Sequence, residues 1–394
     1  MNDAALVTSP LAVLAALAGI TASVFWVEHR TKWRLFSFLP PLVFVYVVPM
    51  ILASTGVLAH ESPVYEWMGD IMLPFLLTIL LLKVDVVSAV RVMGRGIVVM
   101  LFGTAGVVLG APLSYLLVRG RLDPGAWKAF GTLAGSWIGG TGNMAAVASG
   151  IETSGTEFGL AVLGDNAVYI LWLPILLASR GLASWFNRFA RVDRRRIEML
   201  EQSSMDLAKG DETLAMRHLL YLLFLGFAVT LVATRVAGLL PEVGPVLTAG
   251  TWKILLVTAL GLLLSASPAR RIPASHEIGM ALVYLFVAHM GAQANLAGLR
   301  AQALWFVGAA YLWIALHGAF CLFGAWLLHV DIHSTAIASA ANVGGAASAP
   351  VVAAHHNPRL VPVSILMALI GYAVGNFGGF AAAWLCHLVS PAGG

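Results

Sequence analysis

Apolar residues in this chain fall in long blocks separated by short polar stretches. Uninterrupted examples are residues 98–118, 219–232 and 303–328. A run of about 20 apolar residues at helical rise matches the ~30 Å hydrocarbon core of a bilayer. Backbone groups at that depth have no water to bond, so such runs must be helices. The pattern predicts an all-α integral membrane protein. About twelve segments can be counted, giving an expectation of about 11–13 transmembrane helices. They run over residues 9–27, 35–58, 71–90, 96–118, 126–150, 158–179, 219–240, 252–266, 278–295, 303–328, 335–354 and 360–388.

One sizeable polar stretch interrupts this pattern, residues 180–217, with Arg188, Arg191 and the run Arg194-Arg195-Arg196. It predicts a basic cytoplasmic linker (181–217) between a first helical repeat with its N-terminal helix (1–180) and a second repeat (218–394). Residues 1–8 carry no basic region ahead of apolar 11–27, so that segment is predicted to be a retained helix rather than a cleaved signal. Orientation does not come out cleanly. Residues 28–34 and 180–217 are both basic and both favour the cytoplasm, yet an odd number of predicted crossings lies between them. One segment must therefore be misassigned, split or re-entrant.

Composition sharpens the class. Hydrophobic residues make up 59% and charged residues 11%, against roughly 25% charged in a soluble domain. So little charge cannot cover a water-facing surface. The net charge of +4 resides in arginine clusters in short loops, which fits loop orientation and implies no nucleic acid. Cys321 and Cys386 lie in apolar stretches and read as small buried side chains rather than a disulfide framework.

The two halves carry matching features. Superposing Gly344 on Gly139 places Gly131, Gly135 and Gly140 on Ala336, Ala340 and Gly345, and Asn143 on Ser348. Earlier in each half, Lys83-Val84-Asp85 with Arg91 resembles Gln293-Ala294-Asn295 with Arg300. Internal repeats that span the membrane are a feature of secondary transporters. In the first half Gly139, Gly140 and Gly142 make a continuous helix hard to maintain, with Ser136, Thr141 and Asn143 bordering the break. In the second half Gly344, Gly345 and Pro350 interrupt the helix beside Asn342 and Ser348. Corresponding interruptions in two halves point to a transporter's binding site; tightly packed, kinked helices are the plainer alternative.

Asp165-Asn166 lies deep in an apolar segment, where an ionisable residue is costly and usually paired, wet or functional. It suits a proton carrier or an Na+ ligand set, and equally a structural hydrogen bond. His289 and Gln293 are four apart and share a helical face suited to a polar cavity. Lys83 and Asp85 fit a helix end. His329 and His333 have the spacing of a metal pair but no accompanying acid or cysteine, so no resident metal or other cofactor is expected.

On residues 135–147, 163–173 and 341–354 the chain resembles the membrane-protein family called domain of unknown function 819, over nearly its whole length. That family is similar to the group of bile-acid/sodium symporters and cation/proton antiporters. The resemblance implies two inverted repeats, each with a broken crossover helix, corresponding to residues 131–150 and 336–354. It also implies an elevator-like motion driven by an Na+ or H+ gradient, with Asp165 in the place of the antiporters' helix-borne acid. The paired-acid signature is absent, because Asn166 follows Asp165. The expected function is a secondary active transporter, symporter or antiporter, of a small polar or carboxylate-bearing solute in the cell (inner) membrane. It would act in the lipid bilayer without enzymatic activity, and a homodimer is compatible with it. An intramembrane protease-like enzyme and a channel are the alternatives; Ser136 with His317 or His289 belongs to the former.

Overall fold

The computed structural model describes residues 5–33, 35–205 and 213–391. Arg34 and residues 206–212 of the expected linker lie outside them, as do the side chains of Arg194, Arg195 and Arg196. Among the described residues the secondary structure is helical throughout, apart from two isolated backbone bridges. Helix α1 spans Pro10–Thr31, opened by Ser9, whose hydroxyl accepts from the Ala12 amide. It is followed by α2 (Pro41–Ser54), α3 (Pro63–Leu81), α4 (Val86–Met93), α5 (Arg95–Val118), α6 (Trp127–Gly150) and α7 (Gly155–Ala178). The linker contains α8 (Ala183–Phe189) and α9 (Arg194–Met205). The second half comprises α10 (Met216–Ala237), α11 (Ala249–Ser265), α12 (Ser275–Ala292), α13 (Leu296–Leu328), α14 (Ile332–Val343), α15 (Gly345–His356) and α16 (Val361–Leu388). By length and composition 7 described helices can cross a membrane; α2 and α11 are apolar but shorter. The molecule is an all-α membrane protein.

Both broken segments depart from the expected path. A helix that merely kinked at Gly140 would carry residues 132 and 153 about 30 Å apart at 1.5 Å per residue. Instead the Thr132 and Thr153 hydroxyls are 3.0 Å apart, and Lys128 Nζ donates to the Glu152 carbonyl at 3.0 Å. Gly140, at φ 76° and ψ −173°, turns the chain back on itself, so α6 is a helical hairpin that enters and leaves on one face. Helices α14 and α15 form a second hairpin. Its turn is at Gly344 and Gly345, and its base is closed by His333 Nδ1 and His356 Nδ1 at 2.9 Å. The expected crossover helices are thus present as breaks but not as crossings, and the helix count falls accordingly.

This settles the parity conflict. The N-terminal strand-like residues pair with the α2–α3 connection at Val7 and Leu58. Thr156 of α7 receives the Asn295 amide, and Arg119 after α5 donates to the Val389 carbonyl after α16. These ends share one face. On the opposite face Arg95 of α5 meets the Leu328 carbonyl, Arg270 pairs with Asp85, and Arg180 meets the His355 carbonyl. The first hairpin enters from the first face and the second from the other. With α6 removed from the crossings, residues 28–33 and the linker fall on the same face. Among described residues, Arg119, Arg121, Lys128, Arg235, Lys253 and Arg300 lie on or near the first face, called sparse below. The remaining described lysines and arginines belong to the other, basic face.

Packing divides the helices into two bundles. Helices α1–α3 pack with α10–α12, while α5–α7 pack with α13–α16. The matching connections before α4 and α13 are alike in detail. Asp85 accepts from the Ser88 amide, and Asn295 accepts from the Ala297 and Gly298 amides, so each caps the helix that follows it.

Candidate functional site

The hairpin tips meet in the middle of the α5–α7/α13–α16 bundle. A Cβ on Gly345 (φ 58°) would lie 3.7 Å from Gly140 Cα. Positive φ at both positions favours glycine, since an L side chain there is strained. In each hairpin the first arm ends at the tip and the second begins there. Both tips therefore bring orphan carbonyls beside orphan amides.

Helix α7 connects the two hairpins through residues on one face. Asp165 accepts from Ser136 Oγ at 3.0 Å and from Trp137 Nε1 at 2.9 Å, both on the first hairpin. One turn later the Tyr169 hydroxyl lies 2.5 Å from Ser348 Oγ on the second hairpin. Next along that face, Trp172 Nε1 donates to Ser339 Oγ at 3.0 Å. Ser339 also meets His317 Nε2 at 2.9 Å, and His317 Nδ1 meets the Gly103 carbonyl at 2.9 Å. A carbonyl can only accept, so Nδ1 carries the imidazole proton. Nε2 then accepts from Ser339 while Ser339 accepts from Trp172.

A polar cavity of about 370 Å³ opens between the tips and the other bundle. Of the residues singled out from the sequence, Ser136, Gly140, Thr141, Asp165, Asn166, Gly344, Gly345 and Ser348 line it. Tyr169, Tyr372, His276 and Tyr284 line it too and were not singled out from the sequence. Tyr169 was within reach of sequence reasoning, being four residues after Asp165 on the same helical face. His276, Tyr284 and Tyr372 come from helices that only tertiary packing brings here. Asn166 donates to the Val162 carbonyl at 2.7 Å, leaving its carbonyl oxygen for the cavity.

Five expected site residues lie elsewhere. Asn143 Nδ2 donates to the Tyr372 carbonyl at 3.1 Å and to Asn376 Oδ1 at 3.0 Å, and Asn376 in turn donates to Thr258 Oγ1. Asn342 Nδ2 donates to the Met100 carbonyl at 2.9 Å. Both asparagines tether a hairpin to a crossing helix. Gly139 packs between Asn143 and the Gly371 carbonyl. His289 is buried against the rings of Tyr65 and Phe286, and Gln293 is exposed at the end of α12. Helical spacing put His289 and Gln293 on one face correctly, but that face does not border the tips.

A larger groove of about 770 Å³, walled by Trp172, Trp185, Phe186, Phe323 and Trp326 among others, is almost wholly apolar. It suits acyl chains rather than a polar solute. No described group of three or more His, Cys, Asp or Glu side chains is arranged to hold a metal ion.

The chain is 27% identical over 362 residues to the Bacillus subtilis (strain 168) protein named "Uncharacterized membrane protein YjcL", covering 89% of this chain and 90% of that protein. Residues 15–388 match the family described as "Protein of unknown function (DUF819)". A match over nearly the whole described chain, together with the helical membrane architecture, places this protein in the DUF819 family.

Proposed function

We propose that this protein is a secondary active transporter of a small polar solute, coupled to Na+ or H+, in which the two halves are inverted repeats. The observation that carries the reading is the meeting of two opposed hairpin tips at a polar cavity between two helix bundles. Irregular backbone at membrane depth is tolerated where it lines a wet cavity, and transporters place substrate and coupling ions at such breaks. Asp165 and the free oxygen of Asn166 are the coupling candidates. A carboxylate there takes up a proton, or joins neutral oxygens around Na+.

The basic face is assigned to the cytoplasm of the cell membrane by its excess of lysine and arginine. The cavity's far wall is built by Pro40, Leu42, His276 and Met280, near the basic-face ends of α2 and α12. On the sparse face the bundles are held together. The Tyr46 hydroxyl donates to the Gly155 carbonyl at 2.7 Å, and Thr248 and Thr251 donate to the Gly150 carbonyl at 3.0 and 2.9 Å. This arrangement fits an inward-open state. Elevator-like movement of the hairpin bundle against α1–α3 and α10–α12 would break those bonds and open the other side.

The test is gradient-driven uptake by the full chain in proteoliposomes. Asp165→Asn is expected to abolish coupled uptake while the melting temperature in detergent stays near wild type. Unchanged coupling in that variant would remove Asp165 from the mechanism.

A further inference from the structure

We propose that the cavity takes a small organic cation, its ammonium group seated against Asp165 within a wall of tyrosines. This rests on the transporter reading and names its substrate class. The electrostatic balance of the cavity decides the sign. Each second arm begins at a tip and offers about half a positive charge, but each first arm ends there and offers about half a negative one. These four partial charges largely cancel. Asp165 remains as a full negative charge, and among the described residues neither lysine nor arginine lines the cavity. Lys83 and Glu277 lie close enough to His276 on the cavity wall to act on it electrostatically, with opposite sign.

Asp165 is also built to accept more. A carboxylate has about four acceptor positions, and Ser136 and Trp137 occupy one on each oxygen. Both are neutral donors, so they orient the group without neutralising it. An ammonium fills the remaining positions and supplies the missing charge. The rest of the wall suits the same guest. Tyr169, Tyr284 and Tyr372 line the cavity, and the Tyr372 ring stacks with His276 at 6.2 Å between centroids. Aromatic faces attract ammonium groups, including quaternary ones that cannot donate hydrogen bonds. At about 370 Å³ the cavity is at the small end of ligand pockets, which limits the guest to a few carbons beyond its nitrogen. A single carboxylate cannot hold a proton and an ammonium together. Binding should therefore weaken as pH falls, and a proton released on one side can be exchanged for the cation.

The experiment is uptake of radiolabelled choline by the full chain in proteoliposomes that are acid inside, with ethylamine hydrochloride and potassium acetate as competitors. Melting curves with the same solutes run in parallel. Choline is expected to show saturable uptake that ethylamine inhibits, and both cations to raise the melting temperature, with acetate doing neither. Asp165→Asn should weaken cation binding by about tenfold or more, the scale of one charge-assisted contact, while its ligand-free melting temperature stays near wild type. Acetate acting in place of the cations, or cation binding unchanged in Asp165→Asn, would overturn the proposal and leave the transporter reading standing. Stabilisation by choline without uptake would support the cation site and count against transport. Silence from every probe in both measurements would overturn the cation site itself.

Discussion

The two hairpins share a design and differ in how they are held. The first packs along α16 through small residues. A Cβ on Gly379 would lie 3.1 Å from Gly135 Cα, and one on Gly375 would lie 3.0 Å from Gly139 Cα. Backbone therefore rests directly on backbone for several turns, the close approach that small residues permit between membrane helices. The second hairpin faces α7 through Tyr169 and Trp172, which reach it by hydroxyl and indole contacts. Its tip at Gly345 has only Gly140 Cα within 4 Å of a Cβ. The first hairpin is thus held to the bundle by backbone contact, and the second chiefly by side-chain hydrogen bonds, that of Asn342 to the Met100 carbonyl among them. The same difference explains why the cavity lies on the α7 side, where large side chains hold the backbones apart.

The sharpest way to break this comparison is overpacking. Gly379→Leu is expected to cost the fold outright, seen as loss of a cooperative melt in detergent, because even a Cβ there would lie 2.5 Å from Val147 Cγ2. Gly345→Ala should cost only about 1–2 kcal/mol, the strain of a positive φ, since the added Cβ meets Gly140 Cα at an ordinary van der Waals distance of 3.7 Å. Equal damage from both would mean that the two hairpins are held alike. Hydrogen exchange sharpens the contrast without mutation. Amides of residues 345–348 should exchange faster than those of residues 141–144, because local opening follows packing density; the reverse order would make the first hairpin the more loosely held one.

The smallest effect lies away from both tips. Burial would raise the pKa of Asp85, but the Ser88 amide and hydroxyl, with Arg270 and Arg91, outweigh it and hold the carboxyl below its usual range. A depressed folded-state pKa contributes stability above the unfolded value near 3.9 that is lost as pH falls through the folded value. Asp85→Asn should lower stability at neutral pH by about 1 kcal/mol or less, as for a largely solvated pair. The gap to wild type should close below about pH 4. A gap that persists in acid would point to the caps rather than the charge.

Hydrophobic pattern alone determined the membrane class, the helical state and the place of most segments, because a bilayer imposes length and backbone satisfaction on each run separately; the expected segment 71–90 instead straddles the end of α3 and the start of α4. Glycine clustering located both breaks, and the cost of an intramembrane acid marked Asp165. Those are local properties, legible residue by residue. The path of each broken segment was not, because a kink and a reversal differ by one glycine's dihedral angles, and contacts such as Thr132 with Thr153 decide between them. Equally, Asn143 and Asn342 looked like site residues beside their breaks, while packing turned their amides to the carbonyls of Tyr372 and Met100. His276, Tyr284 and Tyr372 entered the cavity because two bundles meet there. Depth in the membrane is written in the order of the residues; which side chains face one another across the cavity is decided only when distant helices pack.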